Sequence, residues 1–161
     1  MLGCRKKIGI EIGKHLAAQS NLKAIHAIGH SCGSFVALGI CEGAKSINPQ
    51  LIIQTTFLDP VSVYSGIFWD YGIKNFGTCG DFSDNYIDTR DTVPGSNQAL
   101  PNAYTFDVTH QQTGKDAQYP PHAWPTRYYI NAYNAQSVPL LYKAKIGEIK
   151  QFKKGELNSL Q

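Results

Sequence analysis

A chain of 161 residues with a net charge of +3 is of single-domain length and long enough to bury a real core. Its 42% apolar and 17% charged residues exclude a disordered or collagen-like chain, and no apolar run reaches transmembrane length. Five of the fifteen basic residues (Lys143, Lys145, Lys150, Lys153 and Lys154) fall in the last twenty, which reads as a solvated face and not as a nucleic-acid surface.

Residues 3–19 carry Ile8, Ile12 and Leu16 at helical spacing, which predicts an amphipathic helix lying against a sheet. Ser20-Asn21 ends it. Leu22, Ala24, Ile25, Ala27 and Ile28 then read as a buried strand that runs into Gly29-His30-Ser31-Cys32-Gly33. The small and apolar run from Ser34 to Ala44 reads as a helix. Strand, G-x-S-x-G turn and helix together form the setting of a nucleophile elbow. So sharp a turn strains the Ser31 backbone and lifts its hydroxyl above the sheet. Gly29 and Gly33 are expected to flank it because a Cβ there would collide. The N–H of Cys32, at a helix start, is the expected oxyanion donor.

Asn48-Pro49 breaks the chain, and LIIQTTFL over 51–58 is a second buried strand ending at Asp59-Pro60. Strand, helix, strand in this span predicts a parallel pair with a right-handed crossover. Ser31 and Asp59 then lie at the carboxyl ends of neighbouring strands, where sites in such sheets form. Residues 61–85 are rich in glycine and aromatics, and two readings are equal: a substrate-facing loop, or a surface excursion packed by its own rings. On the first reading Tyr64, Phe68 and Trp69, with His30, contact substrate. Asn85–Thr89 and Ala103–Val108 are expected as the third and fourth strands, and the segment HAWPTRYYINAY from His122 as a closing helix. Residues 1–142 form the expected domain, and 143–161 a basic tail, either an exposed strand or disordered.

The four cysteines show no C-x-x-C pair and no zinc spacing. Cys32 and Cys41 read as small core residues, and a disulfide to Cys79 is not readable from spacing. No metal and no cofactor are expected.

A serine nucleophile needs a base and a carboxylate to hold that base's tautomer, here in the chain order Ser, acid, His. Of five histidines, His122 alone combines a late position with a long loop before a helix. His15 lies on a polar helix face, His26 inside a strand and His110 at a strand end, while His30 adjoins Ser31 and points elsewhere. Asp59 and Asp91 compete for the acid, each ending a strand; Asp88 and Asp107 are less well placed.

The segment IHAIGHSCGSFVA resembles the elbow of α/β-hydrolase lipases, and FLDP at 57–60 resembles the pancreatic-type branch, whose acid follows the strand after the elbow. NYIDTRDTVPG, NAYTFDV and HAWPTRYY are similar, in order, to that branch's next two strands and its histidine-bearing loop. The resemblance covers about residues 5–135. It implies a partial α/β-hydrolase fold, a mostly parallel sheet of about four strands flanked by helices. It also implies a serine carboxylester hydrolase acting on a small ester or lipid, with Ser31, Asp59 and His122 as the triad. RDTVP resembles the acid-bearing segment of fungal lipases, so Asp91 stands as the alternative acid. The family has strands ahead of the elbow, and a loop among them supplies the second oxyanion donor. Here only a helix precedes it, which places the elbow strand at a sheet edge and predicts self-association or a partner chain along that edge. The alternative function is a truncated, inactive hydrolase-like domain serving as a binding or assembly module. No signal peptide is visible, and secretion is expected if the natural N-terminus is missing.

Overall fold

The computed structural model describes residues 2–64, 67–135 and 151–160, with the side chains of 2–5 left aside. Five parallel strands form one sheet: β1 (Ala24–His30), β2 (Ile52–Leu58), β3 (Phe82–Ile87), β4 (Tyr104–Asp107) and β5 (Leu157–Ser159). They lie side by side in chain order, which leaves β1 at an edge among the described residues. The helices are α1 (Leu2–Ala17), α2 (Ser34–Ile47), the short α3 (Tyr71–Asn75) and α4 (Trp124–Asn134). This is an α/β fold, with one strand more than the sequence predicts. The extra strand, β5, comes from the basic tail, of which residues 143–150 lie outside the described residues. The third strand starts at Phe82, ahead of the expected Asn85, and stops at Ile87. It stops there because the buried Asp88 carboxylate accepts the Arg90 N–H at 2.9 Å and turns the chain.

β2 is the strand richest in apolar and β-branched residues because it is covered on both faces, whereas one face of the edge strand β1 is exposed. On one face of the sheet Phe35 and Leu38 of α2 pack with Phe57, Phe76 and Leu100. On the other, α4 lays Trp124 and Tyr129 over Tyr86, Phe106 and Val108. No helix among the described residues is long and apolar enough to cross a membrane.

Helix α1 forms as expected but does not lie on the sheet through Ile8, Ile12 and Leu16: Ile8 and Ile12 are exposed. It packs on α2 instead, and the reason is glycine. Both helices carry G-x-x-x-G, Gly9 and Gly13 facing Gly39 and Gly43. A Cβ on Gly13 would sit 2.1 Å from the Ile40 carbonyl oxygen, and one on Gly43 would sit 2.0 Å from that of Ile10. Two backbones this close admit nothing larger than hydrogen, so the isoleucines turn outward. Cys41 is buried in the core, as its sequence setting suggests, but not as a free thiol. It is bonded to Cys79, which ties α2 to the loop before β3 across a separation of 38 residues.

A polar line runs through the α4 face. His26 Nε2 donates to Thr56 Oγ1 at 2.8 Å, and Thr56 donates to the fully buried Asp84, which also accepts Tyr86 OH at 3.1 Å. Burial pushes the Asp84 carboxyl up to about 7, against the pull of these donors. Folding therefore takes up a proton at Asp84 between pH about 4 and about 7. That contribution is fully present below the unfolded value and is lost as pH rises, by up to about 1.4 kcal/mol per pH unit. Asp84→Asn is expected to flatten the dependence of the urea midpoint on pH over that window. Parallel curves for variant and wild type would count against a protonated Asp84.

Candidate active site

In a parallel sheet all carboxyl ends lie along one edge, and three of them build the site. At the end of β1, Ser31 opens a single 3-10 turn, Ser31–Gly33, that runs directly into α2. Its φ is +54°, a left-handed backbone that a serine adopts only when its surroundings hold it there. Gly29 is required, since a Cβ there would lie 2.7 Å from the Gly33 carbonyl oxygen and the Ser34 Cα. Ser34 Oγ donates to the Gly29 carbonyl at 3.2 Å and pins the turn. Gly33, expected to avoid a collision, has open space around it and an ordinary φ of −63°, so crowding does not explain that glycine. Cys32 is a half-buried free thiol, and its N–H lies at the start of the turn that leads into α2.

Asp59 follows β2 with φ +45°, its N–H bonded to the Tyr86 carbonyl at 2.8 Å. Asn97, with φ +50°, donates its N–H to Asp59 Oδ1 at 2.9 Å, and its side-chain amide donates to the Asp91 carbonyl. Ser31, Asp59 and Asn97 are the three non-glycine residues with left-handed φ among the described residues. All three stand on this edge. Sequence reading missed Asn97, whose one signal is that asparagine tolerates such a φ better than most residues.

His122 sits in the turn before α4, which is anchored by the buried Trp124, whose Nε1 donates to the Val108 carbonyl at 2.7 Å. Its Nδ1 donates to Asp91 Oδ2 at 2.8 Å and lies 3.3 Å from Asp59 Oδ2. The structure thus gathers both candidate acids around one imidazole, with the shorter bond to Asp91. His30, next to Ser31, donates from Nε2 to the His122 carbonyl at 2.8 Å, and the two rings lie 4.8 Å apart. This ties the β1 turn to the histidine loop. No hydrogen bond joins Ser31 Oγ to His122 among the described residues.

The two carboxyls are unlike. Burial pushes Asp59 up to about 8, with the Asn97 N–H pulling the other way and the charges of Asp91 and Asp88 adding to the rise. Burial also works to raise Asp91, but donors from Ser96, the Val93 N–H and His122 outweigh it and hold this group below its ordinary value. Asp88 and Asp107 do structural work: Asp88 binds Arg90 at 2.5 Å, and Asp107 accepts the Thr109 N–H at 2.9 Å. Ligand atoms of Asp59, Asp91 and His122 lie within 4.8 Å of one another. In this arrangement His122 Nδ1 is engaged with Asp91 at 2.8 Å, so a metal ion bound at that nitrogen would have to displace the hydrogen bond.

Of the residues expected to contact substrate, Tyr64 is half-buried, stacked on Tyr71 at 4.4 Å and packed on Phe35 at 5.3 Å, so it serves the core. Phe68 and Trp69 stand exposed. The loop passes directly by the turn, Val61 N–H donating to the Ser31 carbonyl at 3.4 Å. A cleft of about 420 Å³ opens beside the site, lined by His30, Tyr119, Ala123, Thr126, Arg127 and Ile130. No known protein family, curated protein or solved structure matches the chain.

Proposed function

We propose that the chain is a serine carboxylester hydrolase of the α/β-hydrolase kind, with Ser31 as nucleophile and His122 as base. The supporting observation is the convergence on one sheet edge of a left-handed serine and a histidine hydrogen-bonded to a buried carboxylate. In this reading the Nδ1–H of His122 is held by its acid, which leaves Nε2 as the proton acceptor. Ser31 Oγ attacks the acyl carbon as its proton passes to Nε2, a contact that tightens only once substrate is bound. The oxyanion gathers on the Cys32 N–H. Collapse expels the alcohol, which takes the proton from Nε2, and water then repeats the sequence to release the acid. With one oxyanion donor assigned, turnover is expected to be modest, since a missing donor costs on the order of a hundredfold or more. In the cleft beside His30, Tyr119, Ala123 and Ile130 suit an acyl chain, next to Arg127. Hydrolysis of a short p-nitrophenyl ester that disappears in Ser31→Ala tests the reading.

The partner we infer is a second copy of this chain, paired along β1. Among the described residues nothing pairs with the outer edge of that strand, and Ile28, Ile130 and Tyr133 stand exposed beside it. Two copies meeting antiparallel through the same edge satisfy the backbone groups of both. A mass measurement in dilute solution is expected to give a dimer or larger assembly, and a clean monomer would rule this out. The same open edge favours a second reading, in which the chain serves assembly without catalysis.

A further inference from the structure

We propose that Asp59 and Asp91 form a carboxylic acid–carboxylate pair behind His122, in which Asp59 keeps its proton through neutral pH and donates it from Oδ2 to Asp91. The geometry is one-sided. Asp91 accepts the Ser96 hydroxyl, the Val93 N–H at 3.2 Å and His122 Nδ1 at 2.8 Å, a set of donors that suits an anion. Asp59 is fully buried, and its Oδ1 has the Asn97 N–H. Its Oδ2 has no donor, although it faces the Asp91 carboxyl and lies 3.3 Å from His122 Nδ1. An anionic oxygen buried without a donor is costly, and two adjacent carboxylates resist joint ionisation. A proton on Asp59 Oδ2 removes both penalties by turning that atom into a donor toward Asp91. The opposite displacements of the two carboxyls agree with this assignment.

Other charges around the pair do not replace that proton. Asp88, at the end of β3, adds negative charge but is matched by Arg90 at 2.5 Å. Asp107 of β4 caps Thr109, and His30 from β1 is turned to the His122 carbonyl. Asp59 is thus a positioning residue: it occupies one side of Asp91, leaves the other for His122, and keeps the charge facing the imidazole at one. Loss of the Asp91 charge frees Asp59 to ionise, and its Oδ2 then takes over the imidazole. The catalytic consequence rests on the hydrolase reading, whereas the shared proton does not.

Infrared difference spectra of the full chain at pH 7, wild type minus Asp59→Asn, are expected to show a protonated-carboxyl C=O band, and wild type minus Asp91→Asn is expected to show the same band, because Asp59 ionises once the Asp91 charge is gone. Carbon NMR of aspartate-labelled chain reads the same proton as a raised carboxyl titration additional to that of Asp84, assigned to Asp59 by its loss in Asp59→Asn. An absent band, or an Asp59 carboxyl that titrates normally, overturns the proposal. In ester hydrolysis, the acid limb of the kcat/KM profile of Asp59→Asn is expected to match wild type within about half a unit. A downward shift of about one unit or more would show that Asp59 carried a charge beside His122, and would also overturn it. Activity retained by Asp91→Asn above that of the Asp59→Asn, Asp91→Asn double variant supports the takeover. Absence of all ester hydrolysis, with the carboxyl band present, rejects the hydrolase reading and leaves the pair standing.

Discussion

Ser31→Ala is expected to reduce turnover of a short p-nitrophenyl ester by at least about 10⁴-fold, to background, while leaving the unfolding midpoint within about 0.5 kcal/mol of wild type. The loss is expected to be large because, on the proposed mechanism, no neighbouring group replaces the nucleophile: Cys32, although adjacent, follows on the turn and is proposed to act through its backbone N–H. The stability is preserved because Ser31 Oγ makes no hydrogen bond among the described residues, and its removal leaves no buried partner unsatisfied. Relief of a left-handed φ is not gained either, since alanine is no more comfortable at +54° than serine. A variant that loses both activity and stability would mean that Ser31 is part of the scaffold.

The second large effect concerns the scaffold itself. Reducing the Cys41–Cys79 bond, or replacing both cysteines by alanine, is expected to cost about 4 kcal/mol. The bond closes a loop with a separation of 38 residues, so its loss restores considerable freedom to the unfolded chain. It also joins α2, the helix that carries the Ser31 turn at its start, to the segment entering β3, whose end leads to Asp91. Against a total of about 5–15 kcal/mol for a domain of this size, such a loss is severe. Urea unfolding with and without reductant measures it. Coincident curves, with both thiols shown to be free after reduction, would contradict the expectation.

Legibility in the sequence followed how local the constraint was. The Ser31 turn could be read because its geometry restricts residues within five positions, and Gly29 meets that restriction. The second strand could be read because a strand covered on both faces demands a continuous apolar run, as in Leu51–Leu58. Parallel order then carried Ser31, Asp59 and Asp91 to one edge without further information. Choosing between the two acids was beyond the sequence, since both end strands and the choice turns on donors supplied by Ser96 and Asn97. The Cys41–Cys79 pairing was equally hidden, because it depends on how a helix face meets a distant loop. Helix α1 misled for a different reason. Ile8 and Ile12 produce an amphipathic pattern stronger than that of Gly9 and Gly13, yet the glycine face is the one that packs. Close backbone approach leaves no apolar signature.

The proposed hydrolase activity depends on the strained serine being an activated nucleophile. Incubating folded wild-type chain with a fluorophosphonate and mapping the adduct by mass spectrometry tests that most directly. The predicted result is a single adduct on Ser31, absent from Ser31→Ala and formed far more slowly by His122→Ala. A folded chain that takes up no label, or carries it on another residue, would contradict the account.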